Sequence, residues 1–267
     1  MFRKIYLWAI LLGAFTLVNC AKDSDVTTNG TGSVDRSANL LSAGSSGSDF
    51  LTVENFDRLL IEIAYVEGFR PTDQAVENLR TFLQDRTFKT EISFTYRALP
   101  SPGEETLTLE EIASLESDNR TSYNDGRTLA CYIYFADAPS DNDDASEGLV
   151  TLGAVYRNTS MILYESTIRR LASRNVLVTV SEVESTTLIH EFGHLFGLVD
   201  LGTPEVNPHE DTASANHCNV DGCLMRAELE FGAGYMSFMK ARAAKGLEGL
   251  PALDAECLRD LQNIGGR

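Results

Sequence analysis

The residues best suited to chemistry lie between positions 190 and 200, in the run HEFGHLFGLVD. His190 and His194 are four residues apart, and side chains at that spacing stack on one face of an α-helix, so both imidazoles can reach a single metal ion. Glu191 follows the first of them. Zinc makes a bound water acidic enough to supply hydroxide near neutral pH, and a carboxylate beside a ligand can take up the released proton. This is hydrolytic chemistry. Gly197, three residues past the second histidine, can adopt the left-handed conformation that ends a helix and turns the chain back toward the metal. A bare HExxH also arises by chance on ordinary amphipathic helices. Two further features argue against chance here. Ser181-Glu182-Val183-Glu184 has the form of a capping box at the right distance to start the helix, and residues 217–225 read HCNVDGCLM, a second run rich in ligand types.

Together these runs resemble the metzincin clan of zinc peptidases. HEFGHLFGLVD is similar to their HExxHxxGxx(H/D) helix and turn, and Cys223-Leu224-Met225 resembles their Met-turn, in which a methionine packs beneath the metal. HCNVDGCLM looks most like the archaemetzincins, whose third histidine is followed by Cys, four residues, Cys, one residue and Met. Two departures stand out. Sixteen residues, 201–216, separate Asp200 from His217, and the downstream CxxC is absent, which puts a second, cysteine-bound zinc in doubt. The resemblance implies an α+β, metzincin-like fold: a twisted mixed sheet with backing helices and an active-site helix, followed by a small C-terminal helical subdomain. It also implies an antiparallel edge strand along the cleft, which would bind extended peptide through main-chain hydrogen bonds.

Three residues compete to be the third ligand of one zinc ion. Asp200 has the family spacing, and carboxylates ligate zinc. His217 has the better local context and requires residues 201–216 to loop out. His209 is the outsider. His217 is preferred, with Asp200 as the alternative, and whichever is not the ligand could hydrogen-bond one that is. Glu191 is the expected catalytic base of a metalloendopeptidase acting on peptide or protein substrates. A non-catalytic, zinc-stabilised surface binding module and a zinc amidase acting on cell-wall peptides are the competing readings. An intact Glu191 argues against the first.

The elements that must position these residues are read from periodicity. Residues 56–66 and 73–85 carry apolar side chains at helical spacing, with Gly68 and Pro71 between them. Residues 91–98 alternate as a strand. Thr108 and Glu111 form a capping box ahead of a short helix. Residues 128–136, TLACYIYFA, read as a central strand covered on both faces, with Cys131 in the core. Residues 149–156 and 160–164 read as two strands forming a hairpin directly ahead of the metal helix, and 235–244 and 254–262 as closing helices. Residues 141–147 carry four carboxylates that could hold calcium, although the spacing is not that of an EF-hand and a solvated loop is the simpler reading.

The 267 residues carry a net charge of −17 and no basic cluster beyond Arg169-Arg170, which excludes a phosphate-backbone footprint and with it nucleic acid. Residues 1–20 form a targeting segment: Arg3 and Lys4, then an apolar run over 5–18 too short for a comfortable membrane span, closed by Asn19-Cys20. LVNC resembles a bacterial lipobox, which would leave Cys20 as a lipidated N-terminus and membrane anchor. The expected location is the outer membrane or cell surface, or secretion if Cys20 stays unmodified. Residues 21–48 are rich in Ser, Thr, Gly, Asn and Asp and read as a flexible tether with a reach of roughly 30 Å, leaving 49–267 as the peptidase domain. Four further cysteines in an oxidising compartment point to disulfides, Cys218 with Cys223 and Cys131 with Cys257.

Overall fold

A computed structural model describes residues 34–144, 149–174, 176 and 178–267. Residues 1–33, with the targeting segment, Cys20 and the start of the tether, lie outside the described residues, as do residues 145–148 of the acidic loop. No helix among the described residues is long and apolar enough to cross a membrane.

The elements run α1 (Gly47–Leu51), β1 (Arg58–Val66), α2 (Asp73–Arg86), β2 (Glu91–Leu99), α3 (Leu109–Asn119), β3 (Thr128–Phe135), β4 (Gly153–Arg157), β5 (Ser160–Leu163), α4 (Glu165–Ser173), α5 (Val180–Leu195), β6 (Glu210–Asp211), β7 (Ser214–Cys218), α6 (Gly232–Ala244) and α7 (Ala255–Asn263). One five-stranded mixed sheet has the order β2-β1-β3-β5-β4, parallel except for the last pair. The fold is α+β, with helices on both faces of this sheet and α6 and α7 closing the chain. Alternation along β3 separates two cores. Cys131, Ile133 and Phe135 join Leu59, Ile61 and Ile63 on the side that α2 and α5 cover, whereas Tyr132 and Tyr134 join Ala64, Val66 and Ile112 on the other. Burial pushes the Cys131 thiol up to about 12, as befits a packing residue.

Residues 58–66 form a strand, not the helix their spacing predicts. Leu59, Leu60, Ile63 and Ala64 fit one face of a helix, but the same run serves a parallel strand buried on both faces, where no polar face survives to show the period. Glu62 is the exception on β1, and its buried carboxylate accepts the N–H groups of Thr121 and Ser122 at 3.0 and 2.6 Å. A further difference is α4, which stands between the β4–β5 hairpin and α5.

The packed unit begins at Val34, so the second half of the expected tether is structured. Asn39, Ser46 and Gly47 are buried. In the acidic loop, Asp143 accepts the Thr151 N–H at 2.7 Å, and among the described residues no group of its carboxylates gathers around a common point.

Candidate metal and acid–base site

The helix that carries the motif starts two residues earlier than the sequence implies. Thr179 is the N-cap: its hydroxyl accepts the Glu182 N–H at 3.3 Å, and the Glu182 carboxylate accepts the Thr179 N–H at 2.7 Å. Glu184, the residue expected to close the box, is instead buried and accepts the Thr72 N–H at 3.0 Å as well as its hydroxyl, tying α5 to the start of α2. Every α5 residue from Val183 to Leu195 is buried. The motif therefore sits on a helix held from all sides.

His190 and His194 lie one above the other, with their Nε2 atoms 3.1 Å apart. The His190 Nδ1–H donates to the Leu224 carbonyl at 2.8 Å, which leaves Nε2 with a free lone pair. His217 repeats this arrangement, its Nδ1–H donating to the Ala215 carbonyl at 2.9 Å. Ligand atoms of His190, His194 and His217 lie within 4.8 Å of one another. Two nitrogens at tetrahedral angles on a zinc ion would be about 3.3 Å apart, so the donors fit that metal. Burial lowers the pKa of His190 to about 4 and that of His194 well below the usual imidazole range, so both are neutral and able to ligate at pH 7.

The other two candidates fall elsewhere. Gly197, at φ 77°, turns the chain after α5, and Val199 and Asp200 continue in the left-handed region at φ 56° and 59°. Asp200 is exposed and outside the cluster. Residues 201–216 do loop out, with β6 and β7 pairing so that the return strand delivers His217. His209 is buried at another site, its Nε2 3.4 Å from Cys257 Sγ.

Glu191 faces a cavity of about 210 Å³ lined by His194, His217, Val155, Glu230 and Ala43, among others. Its Oε1 is buried without a hydrogen-bond partner. Burial and then the nearby Glu230 carboxylate raise its pKa well above the ordinary value, opposed by a hydrogen bond from the Val155 N–H. Such a carboxyl faces the space in which a reacting water would give up its proton. Glu230, absent from the sequence reading, places Oε2 3.2 Å from His217 Nε2.

Met225 lies directly under the histidine helix, where a Cβ added to Gly193 would fall 2.2 Å from its Sδ. Glycine here is a matter of space. Gly193→Ala should therefore force the enclosed Met225 side chain to shift, costing about 1–3 kcal/mol as overpacking does and lowering zinc affinity. Thermal unfolding and zinc titration of the variant check both effects.

A second group of donors is also present. Cys218, Cys223, Cys257 and Asp254 bring their ligand atoms within 4.8 Å of one another. All four cysteines among the described residues are free thiols, so neither expected disulfide forms. Cys131 is enclosed in the sheet core, and Cys223 Sγ approaches Cys257 Sγ, at 3.6 Å, rather than pairing with Cys218. A disulfide needs about 2.05 Å, whereas two thiolates on a tetrahedral zinc would be about 3.8 Å apart. The neighbouring Cys218 and then Cys257 thiols lower the pKa of the Cys223 thiol, which favours the thiolate form that ligates a metal. Asp254 caps α7, accepting the Glu256 and Cys257 N–H groups through Oδ1, while Oδ2 accepts from the Cys218 thiol at 2.9 Å. The missing CxxC thus has a spatial counterpart in Asp254-x-x-Cys257, a pairing legible only once α7 folds back to the turn.

The two groups share a loop. Cys218 follows His217, and its N–H donates to the Met225 carbonyl at 2.7 Å. Cys223 precedes Leu224, whose carbonyl orients His190 and whose N–H donates to the Ala252 carbonyl at 2.8 Å.

No protein-family model matches the chain, and no curated protein matches it in sequence. Among solved structures it is similar to archaemetzincin from Methanopyrus kandleri, at 14% identity over 79% of this chain and 96% of that one, with a TM-score of 0.48. It is also similar to metalloproteinase-II from Bacteroides fragilis, at 12% identity over 80% of this chain and 55% of that one, with a TM-score of 0.41.

Proposed function

We propose that the chain is a zinc-dependent peptidase, exported and held at a membrane surface by a lipidated Cys20. One observation carries the enzymatic part: three imidazoles with convergent nitrogens share a cavity with a buried carboxyl, Glu191, beside the sheet edge at β4. Zinc, when bound by His190, His194 and His217, supplies a Lewis acid that polarises a carbonyl and acidifies water. The chain's residues do the rest. Glu191 takes the proton of the attacking water and returns it to the leaving amine. His190 and His217 keep their orientation through the Leu224 and Ala215 carbonyls. β4 offers its free edge to an extended peptide. The anchor rests on the lipobox-like LVNC and the tether on the polar composition that follows it.

Cys218, Cys223, Cys257 and Asp254 would hold a second, structural zinc that stiffens the loop between His217 and Met225. The purified full chain should then carry two zinc ions and cleave members of a peptide library. A chelator should stop cleavage and added zinc restore it. A chain that binds zinc yet cleaves no peptide would overturn the enzymatic reading. Cys257→Ala should reduce the count to one ion and weaken the histidine site by roughly 10–100-fold, as loss of supporting contacts around a metal does. Metal analysis and zinc competition with a chromophoric chelator read both numbers.

A further inference from the structure

We infer that residues 38–47 are a fixed strap closing one end of the cleft, so that the chain cuts peptides within about three residues of a chain end. This rests on the peptidase reading above. The strap is anchored on the β4–β5 turn by two buried asparagines. Asn158 accepts the Ser46 N–H at 3.0 Å through Oδ1. Its Nδ2 donates to the Ala38 carbonyl and the Ser46 hydroxyl, both at 2.8 Å, and its own N–H to the Leu41 carbonyl at 3.2 Å. Asn39 accepts from the Thr159 and Ser160 hydroxyls at 2.7 and 2.8 Å and donates to Glu116 at 2.9 Å.

The other side of the strap is fitted to the turn that follows the metal helix. A Cβ on Gly44 would lie 2.1 Å from the Leu201 carbonyl oxygen and 2.9 Å from Gly197 Cα, and one on Gly47 would lie 2.3 Å from the Phe196 carbonyl oxygen. Between these anchors Ala43 lines the cavity shared by Glu191, His194 and His217. The strap thus bridges the edge strand and the helix turn, the two rims between which a peptide would lie. Its polar anchors are buried and satisfied, so lifting it would leave several of them without partners. It is a wall of the site.

The distance available follows from the strand. Val155 lines the cavity together with Glu191, and we take its position as the level of the reacting bond on β4. Asn158, where the strap crosses, is three residues further on. At about 3.3 Å per residue, a peptide paired with β4 has about 10 Å, or three residues, before it meets the strap. On the other side of Val155 lies a second cavity of about 220 Å³, which shares Ala154 and Glu230 with the first and has Leu109, Tyr164 and Phe231 in its lining.

The test uses the full chain loaded with zinc and a ladder of peptides built around one cleaved bond, lengthened by one to six residues at either end. Cleavage, read by mass spectrometry, should fall at least tenfold when more than about three residues extend toward one end, and not when they extend toward the other. Affinity of the same ladder for the Glu191→Gln chain, read by fluorescence anisotropy, should show the same cut-off. Ala43→Trp should shift the cut-off to shorter peptides without lowering zinc content. Equal cleavage with six residues on both sides overturns the strap inference and leaves the peptidase reading standing. So does activity that appears only after the chain is trimmed past residue 47, since the strap would then be a removable cover. Zinc binding with neither cleavage nor peptide affinity overturns both.

Discussion

Glu191→Gln is expected to retain its zinc and lose peptide turnover by about a hundred- to ten-thousand-fold, the range that a positioned acid–base group contributes. The amide has the shape of the carboxyl but cannot take up the water proton. The fold should tolerate the change well. Glu191 is buried, its Oε1 has no hydrogen-bond partner, and burial already disfavours its charged form; a neutral amide removes that cost. Thermal stability of the zinc-free variant should be equal to or above that of the parent. This combination separates a proton carrier from a structural carboxyl, whose loss would lower stability and rate together. His194→Ala should behave differently, losing zinc and activity in one step. Full activity in the Gln variant would remove Glu191 as the base and turn attention to Glu230, the other carboxylate of the same cavity. The measurement is kcat beside zinc content and a melting curve.

The histidine helix was legible because its signals are local. The i, i+4 pair, the adjacent glutamate and the turn glycine fall within eight residues. Even the error in its start was local: Thr179–Glu182 and Ser181–Glu184 satisfy the same pattern, and only the burial of Glu184 against Thr72 decides between them. What escaped the sequence depends on distant partners. The strap has the composition of a tether, and its order comes from Asn158, Thr159 and Ser160, more than a hundred residues away. Asp254 and Cys257 join Cys218 and Cys223 across about thirty residues that no motif spans. β1 reads as a helix for a related reason: its strand character is fixed by pairing with β2 and β3, while a run buried on both faces carries no period of its own.

His217→Ala should cost zinc affinity by more than the roughly 10–100-fold that loss of an outer partner causes, whereas Asp200→Asn should leave affinity and turnover unchanged. The ring of His217 is stacked on that of His190, with centroids 5.5 Å apart; its Nδ1–H is committed to the Ala215 carbonyl, so its buried Nε2 carries a lone pair that meets no protein donor, only the Glu230 carboxylate 3.2 Å away. A buried imidazole nitrogen that no protein donor satisfies is what a metal would satisfy. Asp200 lacks these features: it is exposed and stands at φ 59°, a conformation that Asp and Asn tolerate better than most residues. Asparagine is therefore the fair replacement, since alanine would add backbone strain and confuse ligation with folding. Zinc affinity by competition titration reads the first effect, and kcat/KM on one peptide the second. If Asp200→Asn released the metal and His217→Ala did not, residues 201–216 would have to rearrange when zinc binds, bringing the carboxylate in and moving His217 away. The β6–β7 pairing and the Cys218 N–H bond to Met225 oppose that movement, because both would have to break before the His217 ring could leave the cavity.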